Sequence, residues 1–398
     1  HGASKSGLLL CIMTSIASVL TDDQKDGTQH SNSLVLSMLL EIIETVLEPF
    51  HTTFIDSQAS PNQTALAIDI LRVLLYGLQR MQPSILPIYT YAWITAMSAL
   101  SLIRLAKQCG DETVANQYTE LIVAYLRFLN IFWTTWRKLP KSVEVHTKAL
   151  ASLLLTLYNE WPALLSAHYA QLCLYIPSCF PQLRNTITAA QPSNLPFFIP
   201  REAISGELTK YLHMPAEDKW DTHLILKPLK LEKYFLEYGS NNRVVAELSS
   251  IALRYANSPE IFNAIIYEVA ESTYIQYDGN QRTFPVEFYT NVLKMLNAED
   301  LRNAIFSLLD HIRYPSLDTY YFCMLVKTII DNNNKNDVKQ LLGENIMICL
   351  GERLLVTGPK PWGLEFLFSQ ILNATTGIKE QSFMTGYPMK KLVEKYTK

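Results

Sequence analysis

The 398-residue sequence predicts an all-α protein, an irregular HEAT-like α-solenoid of two stacked helical halves. Three observations carry that reading. Apolar residues recur with helical period through almost every long segment, and no alternating strand pairs stand out. Helix start and stop signals punctuate the chain at short intervals. Glycine is scarce, with 14 residues where an average share would give roughly 28. That shortage disfavours sandwiches, barrels and Gly-rich phosphate loops, which need turns with φ > 0.

The elements follow in order. Leu8 to Leu20 is an apolar run, interrupted by Thr14, Ser15 and Ser18 and expected to be too short to span a bilayer. The chain opens His1-Gly2 and reads as an excised fragment without a signal peptide. Asp22-Asp23 lies in "TDDQKDGTQHSNS", a solvated linker. In "LVLSMLLEIIETVL" a buried stripe of Val35, Leu39, Ile42, Ile43 and Val46 opposes Glu41 and Glu44. Ser60-Pro61-Asn62-Gln63 is a capping box with proline at the first helical position. It opens a helix in which Ala67, Ile70, Leu71, Leu74 and Leu78 share one face. "WTTWRKLPK" ends another, with Arg137 and Lys138 at its C-terminal dipole.

Residues 191–217, with Pro192, Pro196, Pro200 and Pro215, form a connector, since proline removes helical donors and biases its predecessor away from α. It separates an N-terminal array over 1–190 from a C-terminal array over 218–398. Gly239 is a left-handed stop, and Ser258-Pro259 and Asn297-Ala298 are start signals. Asn332 to Asp337 is a polar loop. In "GERLLVTGPKPWGLEFLFSQIL", Leu350, Leu354 and Leu355 carry one apolar run, and Leu364, Leu367, Phe368 and Ile371 carry the next. Between them Gly358 takes φ > 0, the prolines stop the first helix, and Pro361 or Trp362 begins the second. About fifteen helices joined by short loops result.

Composition excludes several function classes. A formal net charge of −3 gives no reason to expect a nucleic-acid surface, which needs a clustered basic excess. Six cysteines in apolar settings read mostly as buried free thiols of a reducing compartment. Cys173 and Cys179 lack zinc spacing. His168 and His311 could each act as a base, yet no nucleophile motif accompanies either, and a satisfied helical histidine is the simpler reading. No Walker loop, dinucleotide fingerprint or G-x-S-x-G is present. The residues therefore point away from an enzyme and imply no metal or cofactor.

Four ordered motifs carry a resemblance. They are "QPSILPIYTYAW" (Gln82 to Trp93), "LYIPSCFPQLRNTITAAQPSNL" (Leu174 to Leu195), "IRYPSLDTYYF" (Ile312 to Phe322) and "ERLLVTGPKPWGL" (Glu352 to Leu364). Together they resemble the carboxy-terminal superfamily-homology domain of the Not-one scaffold subunit of the Ccr–Not mRNA deadenylase complex. The resemblance runs from about residue 60 to the end. It implies a non-catalytic platform for the Not-two and Not-three/five subunits, the Not-box proteins, serving mRNA deadenylation, decay and translational repression. It further implies short motifs of translational repressors as partners, no membrane, and a cytoplasmic location that extends to processing bodies and the nucleus. Arg313, Tyr314, Tyr320, Tyr321 and Trp362 are the candidate partner-binding residues, although a structural helix corner is the simpler reading for Trp362. The simpler reading likewise has Arg313 bonding carbonyls at a helix end and Tyr314 packing. Tyr320 is the one better placed for exposure, since it and Tyr321 point about 100° apart on a helix. The competing class is an RNA-binding or short-linear-motif-binding helical repeat protein.

Overall fold

Helix ends fall where the sequence places side-chain oxygens and prolines. The computed structural model describes residues 4–27, 31–55, 60–136, 138–196, 211, 214–237, 242–275, 286–333, 337–374 and 386–396. Among them are twenty α-helices, two short 3₁₀ turns and no strand. The all-α expectation holds. The helix count exceeds expectation because the middle of the chain forms one- and two-turn pieces, several cut short by proline, rather than continuous helices.

The chain divides into two compact units, His1–His168 and Tyr169–Lys398. In the first, α1 (Lys5–Asp26) packs on α3 (Pro61–Arg80), and α2 (Asn32–Ile55) packs on α4 (Thr90–Met97) and α5 (Leu100–Cys109). Then α6 (Glu112–Thr135) packs on α3 and α7 (Lys141–Glu160), and α8 (Pro162–Ala167) ends the unit. The Ser60 capping box forms, with Gln63 accepting the Ser60 N–H at 2.9 Å. All five residues of the predicted α3 face are buried. The α2 stripe is narrower than expected. Val35, Leu39 and Ile43 are buried, but Leu47 and Phe50 complete the face while Ile42 and Val46 are half-buried.

The α1 expectation needs correction on length. Its helix extends beyond the apolar run to 22 residues, and by length and composition alone it could cross a membrane. The interrupting polar residues do not end it, and the Thr14 hydroxyl bonds back to the Leu10 carbonyl within the helix. One side of α1, Leu9, Met13, Ala17 and Leu20, is buried.

In the second unit, α9 (Tyr169–Cys173) and α10 (Pro181–Thr188) come first, followed by α11 (His223–Leu226) and α12 (Glu232–Leu236). The main core lies in α13 (Asn242–Arg254), α14 (Pro259–Ile275), α15 (Val286–Met295), α16 (Ala298–Asp310), α17 (Leu317–Asn333), α18 (Asp337–Leu355), α19 (Trp362–Ala374) and α20 (Tyr387–Tyr396). The start signals at Ser258 and Asn297 are used, and the Asn297 side chain accepts from the Glu299 and Asp300 N–H groups. The asparagine tract contributes to both helix ends, since α17 runs to Asn333 and α18 starts at Asp337. Gly239 and Arg137 lie outside the described residues.

The unit boundary differs from the expected connector at 191–217. Residues 169–190 belong with the second unit, because α9 packs on α16 and α10 on α18. Buried charge drives this. Asp310 at the end of α16 receives Arg184 from α10 through one oxygen and Arg353 from α18 at 2.7 Å through the other. Arg184 Nε donates to the Ile176 carbonyl at 3.0 Å. Asn185 donates to the Arg353 carbonyl at 2.6 Å, and Arg353 donates to the Asn185 side-chain oxygen and to Thr188. Asn185 and Arg353 are completely buried. No period in the sequence signals such a network.

The glycine–proline turn before α19 is built largely as expected. Gly358 has φ +105°, three residues past the end of α18, and Pro361 immediately precedes α19. Leu350, Leu354, Leu364, Leu367, Phe368 and Ile371 are buried, but Leu355 is exposed. Gly363 is held by its N–H donating to the Arg313 carbonyl at 2.6 Å. A Cβ there would lie 2.6 Å from Thr319 Cγ2, 2.7 Å from Ile312 Cγ2 and 2.9 Å from the Arg313 carbonyl. Gly363→Ala therefore overpacks a rigid corner and lowers stability by about 1–3 kcal/mol, read as a fall in the thermal midpoint. Asp310→Asn leaves two buried arginines facing a neutral amide and costs about 3–5 kcal/mol in urea unfolding. A loss below 1 kcal/mol would contradict the network.

Candidate functional site

The motif residues converge in the second unit, and most face inward. Arg313 is 2% exposed, with its guanidinium 3.6 Å from the centre of the Tyr169 ring. It donates to the Asp218 carbonyl at 3.2 Å and meets the Asp218 carboxylate at 3.5 Å. Burial works against its charge, yet Tyr169 and Asp218 hold its pKa above the ordinary arginine value. The Tyr314 hydroxyl donates to the same carboxylate. Tyr314, Trp362 and Ala216 form a small apolar cluster, and Phe366 stacks on Trp362 at 5.0 Å. The Met214 carbonyl accepts from the Leu317 N–H at 2.7 Å. The segment leading to α11 is thereby pinned against α17 and α19.

Four of the five candidate contact residues thus face inward. Arg313, Tyr314, Tyr321 and Trp362 are buried, Tyr321 with its hydroxyl 2.5 Å from that of Thr273. Prolines and a helix start turn these aromatics into the core, where their area is worth most. Tyr320 is half-buried against the Tyr314–Trp362 cluster, one helical step away from Tyr321.

His311 is buried and neutral, with its pKa lowered to about 3 by desolvation and then by Arg313. Its ring stacks on Phe322 at 4.7 Å and on Tyr267 at 4.9 Å, and its Nδ1 lies 2.8 Å from the Tyr169 hydroxyl. The satisfied-histidine reading is the right one here. Of the six cysteines, Cys173, Cys323 and Cys349 are buried, Cys11 and Cys179 are exposed and Cys109 lies between. Half rather than most are therefore core thiols. No group of metal-binding side chains occurs among the described residues.

What the motif frame presents to solvent is a pocket of about 290 Å³ between residues 219–235 and α14. Sequence reasoning missed it, because its walls come from a short irregular segment and one helix face far apart in the chain. Beside it, Asp318 is buried in the first turn of α17 and accepts from the Tyr267 hydroxyl at 3.4 Å, while its second oxygen has no partner. Desolvation, and next the charge of Glu271, raise its pKa to about 6, against the opposing pull of Arg313 and Lys219. A carboxyl that holds its proton more tightly when folded stabilises the fold at low pH and loses that contribution as pH rises through about 6. Asp318→Asn removes this dependence. Its stability relative to the parent rises between pH 4 and pH 7 by about 1–3 kcal/mol in urea midpoints. A difference that is flat or falling would contradict the buried, Glu271-facing carboxyl.

Comparison with known proteins is consistent across sequence and fold. The family described as CCR4-Not complex component, Not1, matches residues 54–395. General negative regulator of transcription subunit 1 of Saccharomyces cerevisiae is 24% identical over 344 residues, covering 79% of this chain and 16% of its own length. The protein of that name in Schizosaccharomyces pombe is 22% identical over 388 residues, covering 88% and 18%. CCR4-NOT transcription complex subunit let-711 of Caenorhabditis elegans is 24% identical over 399 residues, covering 94% and 15%. The chain spans less than a fifth of the length of these curated relatives. The NOT1 superfamily homology domain of Chaetomium thermophilum superposes with a TM-score of 0.80 at 18% identity, over 98% of this chain and 80% of that one. A Not1 C-terminal domain in complex with Not4 gives 0.76 at 18% identity, over 98% and 81%. These two are likenesses of fold.

Proposed function

The chain belongs to the Not1 family of CCR4-Not complex components, and from that premise we propose that it is a non-catalytic docking domain for the Not-box subunits, Not-two and Not-three/five. The family match over residues 54–395 carries this reading. It is supported by a fold neighbour solved with a protein partner, Not4, which is a further candidate partner here. Through such contacts the domain serves mRNA deadenylation, decay and translational repression, in the cytoplasm, in processing bodies and in the nucleus.

The physical side of the reading is the division of labour within the chain. Its motif aromatics and arginines are spent on internal order, which makes a rigid frame. Large apolar side chains remain on the outside of each unit: Ile131, Trp136 and Val145 in the first, and Leu224, Leu236 and Met295 in the second. Extended partner segments that fold on binding can cover such scattered anchors, burying large area at an ordering cost.

Co-expression with the Not-box subunits of the same organism tests the proposal. The expected outcome is one complex with a single copy of each chain, stable through size exclusion with light scattering and at moderate salt. Failure to associate, with both subunits shown to be folded, rejects Not-box docking.

A further inference from the structure

The pocket beside α14 has a lining whose chemistry selects a ligand. Half-buried Trp220 supplies its aromatic surface, backed at 51° and 5.8 Å by the ring of Tyr267, which is itself buried and stacked on His311. Leu226 and Phe235 add apolar wall. The charged lining is unbalanced, with four carboxylates against two lysines. Lys219 is already engaged, with its ammonium 2.8 Å from Glu271. Glu268 receives only the Thr222 hydroxyl, at 2.6 Å on one oxygen, so its other oxygen is open among the described residues. Glu232 is exposed and has no ion-pair partner there.

We infer that this pocket receives the side chain of an arginine, presented by an extended segment of a protein partner. A guanidinium is planar and weakly hydrated, stacks on aromatic faces and bonds carboxylates through several N–H groups at once. A lysine ammonium is a hydrated point charge and loses more on moving against an aromatic surface. The volume of about 290 Å³ lies at the lower bound of ligand pockets, which suits one side chain rather than a whole small molecule. Leu224 and Leu236, each adjacent in the chain to a lining residue, are 78% and 81% exposed and offer apolar purchase to the residues flanking the arginine. The proposal rests on the docking reading only in taking the partner to be a protein. Its test uses no Not-box subunit, so either can fail alone.

The probe is a capped peptide, acetyl-Gly-Ser-Arg-Ser-Gly-amide, with counterparts carrying lysine, glutamine or glutamate at the centre. It is titrated into the 398-residue chain labelled with ¹⁵N at its six tryptophan indoles, the Trp220 signal being assigned from Trp220→Phe. The arginine peptide shifts the Trp220 signal and leaves the other five in place. It binds more tightly than the lysine peptide, and the glutamine and glutamate peptides do not bind. Glu268→Gln and Glu232→Gln each weaken it about fivefold, as loss of one charge-assisted contact would, with an unchanged melting temperature showing that the fold is intact. Three results would overturn the inference. They are no Trp220 shift at about 10 mM peptide, where millimolar affinities register, equal or tighter binding of the lysine or glutamate peptide, and arginine binding that survives both glutamine variants together.

Discussion

Asp310 is one buried carboxylate shared by two buried arginines, and the second unit is assembled around that constraint. Arg184 and Arg353 lie 169 residues apart in the chain, on different helices, and both must reach the same side chain. Two guanidiniums against one carboxylate leave surplus positive charge away from water. The surplus is tolerated because the Ile176 carbonyl, the Asn185 side-chain oxygen and the Thr188 hydroxyl supply further acceptors. Burial nonetheless pulls the Arg353 pKa below its ordinary value, with the neighbouring Arg184 adding to that pull and Asp310 opposing it. A network of this kind contributes little net stability compared with a well-packed apolar core, but it admits very few alternative arrangements of α10, α16 and α18.

A second polar centre repeats the device nearby. Arg313 and Tyr314 both bind Asp218, and the Arg313 carbonyl also anchors Gly363. One short stretch, the corner between α16 and α17, therefore fixes the irregular segment before α11 and the start of α19 together. The pocket with Trp220 and Glu268 exists because that segment is held in place. Residues that mark the family serve the interior, and the surface chemistry is displayed by neighbours that carry no motif.

Much of the fold was legible in local chemistry. The Ser60 capping box, the Asn297 cap and the α3 stripe depend on residues within one or two helical turns, so spacing alone identifies them. Legibility failed where a longer-range preference won. The α2 stripe shifts toward Leu47 and Phe50 because the partners α4 and α5, rather than periodicity, decide which residues are covered. The proline-rich connector at 191–217 assigns residues 169–190 to the first array, while a buried ion network joins them to the second unit. The step of about 100° between successive helical residues separates Tyr320 from Tyr321 and favours Tyr320 as the outer one, and packing places Tyr321 inside while leaving Tyr320 only half-buried.

The sequence by itself determined the helical class, many helix ends and the family, because these depend on short-range stereochemistry and on motifs that survive in order. It marked Arg184, Asn185, Arg313 and Arg353 as parts of motifs without giving them a task. Tertiary structure decided the tasks, since whether an arginine faces water or a buried aspartate depends on helices distant in sequence. It likewise decided the pocket, whose aromatic surface and carboxylates are local to no single segment and acquire a common chemistry only when residues 219–235 and α14 are brought side by side.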